Sequence, residues 1–103
     1  LEVKQWDAYQ LKTIDPEVSL QALVKWLREN ELDRVICKTQ LLIAPTYQLK
    51  IASGLITNFH QPRSTLLLLI AAIIGDDWKK VYQYALDHNF RFLSYGDGSL
   101  LLP

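Results

Sequence analysis

Nine consecutive apolar residues, 66–74, constrain this chain more than any other feature. As a helix the run is about 14 Å long, roughly half of a bilayer core. It therefore reads as a buried core helix, and no membrane partner is expected. Directly before it, residues 54–65 carry an imidazole, a guanidinium, side-chain amides and three hydroxyls. The helix is expected to begin within residues 62–65, with Ser64 as its N-cap. Gly75 is expected to close it in a left-handed conformation. Such a junction gathers hydrogen-bond donors at the mouth of a helix whose body is buried, so it is where a ligand is expected.

The rest of the chain is read for what covers that helix. Residues 1–11 fit either a short strand or a helix. Asp15-Pro16-Glu17 is a helix start, with a cap, a proline at the first turn and an acid that complements the dipole. Leu20, Leu23, Val24 and Leu27 then share one face, and the helix should end near Asn30. Residues 34–44 read as one or two strands buried on both faces, which makes Cys37 a small core residue. Tyr47, Leu49 and Ile51 alternate with Gln48 and Lys50 as a strand with one wet face. Ser53-Gly54 is a turn, and residues 55–59 form a third strand. A helix from Asp76-Asp77 to His88-Asn89 presents Trp78, Val81, Tyr82 and Ala85 on one side. Residues 90–94 read as a strand, 95–98 as a tight turn and 100–102 as a last strand. Trp6, Trp26 and Trp78 are core or interface residues. The alternation gives the α/β class, a mixed sheet with helices.

With 103 residues, the chain has the length of one domain and is read as a single segment. It balances 11 basic against 11 acidic residues. That weakens, without removing, a reading in which nucleic acid is held mainly by counterion release. A lone cysteine permits no internal disulfide and points to a reducing, cytoplasmic compartment. The chain starts with Leu1 and holds no methionine, so a piece of a longer polypeptide is expected.

No glycine-rich phosphate loop and no metal-ligand spacing is present, so no metal is expected. His60 is a candidate general base or a loop histidine satisfied by backbone. Thr57 and Asn58 either bind a ligand or close a local turn. Arg63, Ser64 and Thr65 offer an anion site at the helix start, a role compatible with simple capping. Tyr95 and Asp97 stand beside glycines, in a turn or in a site with close backbone access.

Three ordered motifs carry a resemblance. Leu55-Ile56-Thr57-Asn58-Phe59-His60-Gln61-Pro62-Arg63-Ser64-Thr65-Leu66-Leu67 closely resembles a signature of the S-adenosylmethionine:tRNA ribosyltransferase-isomerases of queuosine biosynthesis. Phe90-Arg91-Phe92-Leu93-Ser94-Tyr95-Gly96-Asp97 and Thr39-Gln40-Leu41-Leu42-Ile43-Ala44-Pro45-Thr46-Tyr47 resemble two more. The resemblance spans roughly residues 35–102 and departs from the family at a few positions. Thr46 stands where the family has Gly, which puts the geometry of that turn in question. Gln61 replaces Leu, Arg63 replaces Lys, and Gly98-Ser99 replaces Ala-Met.

The resemblance implies the C-terminal part of a larger, barrel-like α/β catalytic domain, with the N-terminal part as a partner. It implies S-adenosylmethionine as co-substrate and, as partner, a tRNA bearing a 7-aminomethyl-7-deazaguanine base. The ribosyl group is transferred and isomerised to give epoxyqueuosine. His60 and Asp97 become the candidates for proton transfer. Arg63, Ser64 and Thr65 become candidates for anion binding, with Thr57, Asn58 and Tyr95 contacting substrate. The segment alone is expected to be inactive and to self-associate through apolar surface. The rival reading is a non-catalytic RNA- or protein-binding module that keeps the fold.

Overall fold

The computed structural model describes every residue, Leu1–Pro103. The chain gathers into two compact units, Leu1–Leu41 and Leu42–Pro103.

In the first unit, both readings of the N-terminus hold in succession. A two-residue strand β1 (Glu2–Val3) is followed by a one-turn helix α1 (Asp7–Gln10). The Asp7 carboxylate holds that corner by accepting the Lys4 N–H at 2.7 Å. Helix α2 (Pro16–Glu29) starts as expected, with Asp15 accepting the Val18 N–H and Pro16 at its head. Its end is a Schellman motif. Glu31 takes φ +54°, the Leu32 N–H donates to Leu27 O at 2.9 Å, and the Glu31 N–H donates to Arg28 O.

Residues 34–44 depart from expectation. Only β2 (Lys38–Thr39) is a strand; it pairs in parallel with β1, Glu2 opposite Lys38 and Val3 opposite Thr39. A strand buried on both faces needs layers above and below it, and this sheet has two short strands and no such cover. Cys37 is accordingly exposed, which corrects its assignment to a core. Trp6 and Trp26 are also exposed, and no side chain of this unit is buried.

The second unit holds the core. Residues 47–51 do not form a strand. Instead Ala44-Pro45-Thr46-Tyr47 makes a β-turn closed by the Tyr47 N–H on Ala44 O at 3.2 Å, with Thr46 at φ +88°. Proline second and positive φ third are the type II pattern, so this chain keeps a glycine-type turn with threonine in it. Strand β3 (Leu55–Asn58) follows, then helix α3 (Thr65–Ile74) and helix α4 (Asp77–Asp87). Ser64 caps α3 as expected, its Oγ accepting the Leu66 N–H at 3.1 Å.

Gly75 has positive φ, +61°, but its ψ of −148° lies outside the left-handed helical region. The cap still needs glycine, because side-chain-bearing residues avoid that combination. It turns the chain sharply enough for α4 to begin two residues later. Helix α4 ends in a second Schellman motif, with Asn89 at φ +57° and the Phe90 N–H on Ala85 O.

Residues 90–94 are not a strand. Leu93–Tyr95 is a single 3-10 turn, and β4 (Gly98–Leu101) returns antiparallel to β3. The register sets Leu55 opposite Leu101 and Asn58 opposite Gly98. The apolar run behaves as the sequence requires. Ile70, 1% exposed, and Ile73 pack with Leu101, and Leu49, Leu55, Leu69, Trp78 and Tyr82 close around them. Each fully buried isoleucine contributes about 1.5–3 kcal/mol relative to an exposed one. No helix is long and apolar enough to cross a membrane.

Candidate functional site

Tyr95 and Asp97 lie before β4, while Thr57, Asn58, His60, Arg63, Ser64 and Thr65 lie where β3 ends and α3 begins. Phe59, 3% exposed, anchors this exit. Its ring meets Tyr82, Phe90 and Phe92 at centroid separations of 5.3, 5.5 and 5.5 Å, within the range where aromatic pairs attract. Its carbonyl accepts the Leu93 N–H at 2.9 Å, tying the strand exit to the loop before β4. Leu93 makes that bond at φ +62°, a strained backbone for a bulky side chain.

His60 is the next residue, and it is half-buried. Its imidazole Nε2 lies 2.8 Å from Thr57 Oγ1. Its backbone N–H donates to the Tyr82 hydroxyl at 2.9 Å. Burial pushes the Tyr82 phenol above its ordinary range, and the His60 N–H opposes this by favouring the phenolate. Thr57 is held in turn by Ser99, whose Oγ donates to the Thr57 carbonyl at 3.3 Å. The structure thus brings Thr57 and His60 together as an imidazole–hydroxyl pair through Nε2.

Asp97 is engaged elsewhere. Its Oδ2 accepts the Arg91 N–H at 2.8 Å and lies 4.0 Å from Arg91 Nε. The Asp97 N–H returns to Arg91 O at 2.9 Å. These reciprocal bonds close a loop in which Gly96 has no substitute. A Cβ there would lie 2.1 Å from Arg91 O, backbone that cannot move aside. The exposed ion pair at 4.0 Å contributes little on its own; the N–H bonds do the closing. Tyr95, at the end of the 3-10 turn, is 83% exposed. Asn58 is exposed opposite Gly98.

Arg63, Ser64 and Thr65 form a separate group. Gln61-Pro62-Arg63-Ser64 is a β-turn closed by the Ser64 N–H on Gln61 O at 3.3 Å, with Arg63 at φ +62°. The three residues share a 480 Å³ cleft with Pro45, Asp76 and Trp78. Arg63 stands just before the Ser64 cap of α3, beside the free N–H groups of the helix start. The predicted residues therefore fall into a strand-exit group around Thr57 and His60, a loop group around Asp97 and Tyr95, and a cleft group at the start of α3.

Sequence reasoning missed Tyr82 and Arg91. The signal for Tyr82 was present. It lies four residues after Trp78 on the apolar face of its helix, and a buried phenol there needs a hydrogen-bond partner. Arg91 acts through its backbone, which side-chain chemistry does not reveal.

A strand leading through a polar turn into a buried helix, with a second strand returning beside it, makes this a mixed α/β segment. Comparison with known proteins gives its kin. The family described as "Queuosine biosynthesis protein" matches residues 15–101. This chain belongs to that family.

The chain is 48% identical over 66 residues to the S-adenosylmethionine:tRNA ribosyltransferase-isomerase of Ruegeria pomeroyi, covering 63% of this chain and 19% of that protein. It is 54% identical over 65 residues to the enzyme of the same name from Legionella pneumophila, covering 62% and 19%. A crystal structure of S-adenosylmethionine tRNA ribosyltransferase from Thermotoga maritima superimposes with a TM-score of 0.60 at 32% identity, over 85% of this chain and 39% of that one. The matches to the curated relatives thus span about a fifth of those proteins' length.

Proposed function

We propose that residues 1–103 are one segment, the C-terminal portion of the catalytic domain of an S-adenosylmethionine:tRNA ribosyltransferase-isomerase. The N-terminal part of a larger, barrel-like α/β domain is its structural partner. The whole protein transfers the ribosyl group of S-adenosylmethionine to 7-aminomethyl-7-deazaguanine in tRNA and isomerises it, giving epoxyqueuosine in the cytoplasm. The observation that carries this reading is the near-50% identity to enzymes of that name, in a chain that keeps the Thr57–His60 pair at the strand exit.

The reaction needs a base to remove a proton beside the sulfonium and an acid for departing adenine. His60 is the better candidate for proton transfer, because Thr57 holds one ring nitrogen and leaves the other for substrate. Asp97 must give up the Arg91 N–H before its Oδ2 can exchange a proton; as it stands, it shapes the loop. Arg63, Ser64 and Thr65 offer an anion site suited to a methionine carboxylate or a tRNA phosphate. Asn58 and Tyr95 are exposed beside the strand exit and its loop, where they orient substrate. The apolar side chains of α2, among them Leu20 and Val24 at 49% and 43% exposed, support burial against the rest of the domain. In the isolated segment they support self-association, which sedimentation measures.

The test is release of adenine and methionine from S-adenosylmethionine in the presence of precursor tRNA. The natural polypeptide that carries this segment is expected to turn over, and residues 1–103 alone are not. Turnover by the segment alone, or none by the natural polypeptide, overturns the proposal. His60→Ala is expected to abolish turnover in the natural polypeptide, while Arg63→Ala and Ser64→Ala raise KM.

A further inference from the structure

Helix α4 contributes no residue to the motif around His60, yet its hydroxyl at Tyr82 reaches the His60 backbone across 22 positions of sequence. The ring that carries this hydroxyl is fixed from several sides. It meets Phe59 at 5.3 Å, Phe92 at 5.9 Å and Trp78 at 6.1 Å, each near edge-on. A phenol clamped in this way has little freedom to follow the loop. The loop must follow the phenol.

His60 lies two residues past the end of β3, so no strand ladder holds its N–H. The partner supplied is the Tyr82 oxygen at 2.9 Å. On the preceding residue, the Leu93 N–H takes the Phe59 carbonyl at 2.9 Å. The peptide joining Phe59 to His60 is therefore gripped at both its oxygen and its nitrogen. A fixed peptide fixes the direction of the His60 Cα–Cβ bond, and Thr57 Oγ1 then selects the ring orientation from its 2.8 Å contact with Nε2.

We propose that Tyr82 is a positioning residue of this site, acting through the His60 N–H to hold the imidazole on Thr57 with Nδ1 turned to the ligand. This rests on the proposed function for its catalytic consequence only; the positioning itself is a property of the fold. Tyr82→Phe removes the hydroxyl and keeps the aromatic cluster, while Tyr82→Leu removes both. A role in packing alone makes Phe equivalent to Tyr. A positioning role puts the defect in Phe.

The first measurement is amide hydrogen exchange by NMR on the natural polypeptide that carries this segment. In Tyr82→Phe, the His60 amide is expected to exchange about five- to tenfold faster, the fold-change of one lost hydrogen bond. The Leu93 amide, bonded to Phe59, should be unchanged. Equal acceleration at both amides, or none at His60, overturns the proposal. The second measurement is steady-state kinetics in the natural polypeptide. In Tyr82→Phe, kcat is expected to fall about tenfold with KM for S-adenosylmethionine held, and Tyr82→Leu should lower kcat no less. Unchanged kcat in Tyr82→Phe overturns the positioning role in catalysis. An inactive parent protein counts against the functional reading instead, and the exchange measurement still decides whether Tyr82 holds His60.

Discussion

Thr46→Gly should stabilise the second unit. Thr46 is exposed and sits third in the type II turn at φ +88°. A β-branched residue at positive φ brings Cβ and its substituents against the backbone, at a cost of about 1–3 kcal/mol. Glycine removes that strain. It also frees the unfolded chain, which offsets about 0.5–1 kcal/mol of the gain. The net expectation is a stabilisation of about 1 kcal/mol. For a domain of this size, that raises Tm by about 4–8 °C.

Urea denaturation is the assay, because a raised midpoint at constant m-value separates stability from a change in the unfolded ensemble. Thr46→Asn, which tolerates positive φ better than threonine, should fall between the two. Thr46→Val keeps the β-branch and should bring no gain. A glycine variant that melts at or below the parent temperature refutes the strain argument. It would mean that the threonine side chain contributes more than its backbone costs.

Four further outcomes follow from the geometry. Thr57→Val keeps the shape and removes the hydroxyl at Nε2; it should cost about 1 kcal/mol and change the imidazole tautomer balance seen in long-range nitrogen–proton NMR spectra. Gly96→Ala forces a Cβ onto Arg91 O and should destabilise by about 3 kcal/mol or more, seen as loss of the cooperative transition of the second unit. Because burial raises the Tyr82 phenol in the fold, the unfolded chain loses that proton first as pH rises. The contribution is whole below the ordinary phenol range, about pH 10, and fades as pH climbs from there towards the raised folded value. Tyr82→Phe should flatten this part of the alkaline decline in urea midpoints. Cys37 is exposed, so a thiol reagent should label it fully in the native protein, with no denaturant needed.

How much of this was legible depended on whether a segment's partners lie close to it in sequence. Helices α2, α3 and α4 were readable because their caps and apolar faces are local. Asp15 and Pro16 start one, Ser64 starts another, and the ends near Asn30 and Asn89 fall where polar residues accept positive φ. Strands β3 and β4 were readable because each borders a turn signal. Residues 34–44 and 47–51 were misread for one reason. Their apolar content reports a preference for burial, but a strand also needs a neighbour to pair with. Lys38 and Thr39 find Glu2 and Val3, and residues 47–51 find no strand.

The candidate site shows the same division. Thr57 and His60 lie three residues apart, so their meeting follows from local spacing. The bond from Tyr82 spans 22 positions and needed the packing of α4. Asp97 looked like an acid awaiting a proton, and the fold uses it first as an acceptor for a backbone N–H.

The backbone contact at Gly96 also divides the labour within its corner. Main chain presses on main chain there with no side chain between, and the Asp97 carboxylate on the Arg91 N–H locks the path that this leaves. Tyr95, 83% exposed, can then be exchanged without redirecting it. Substitution there alters what the corner shows to solvent; substitution at Gly96 decides whether the corner exists.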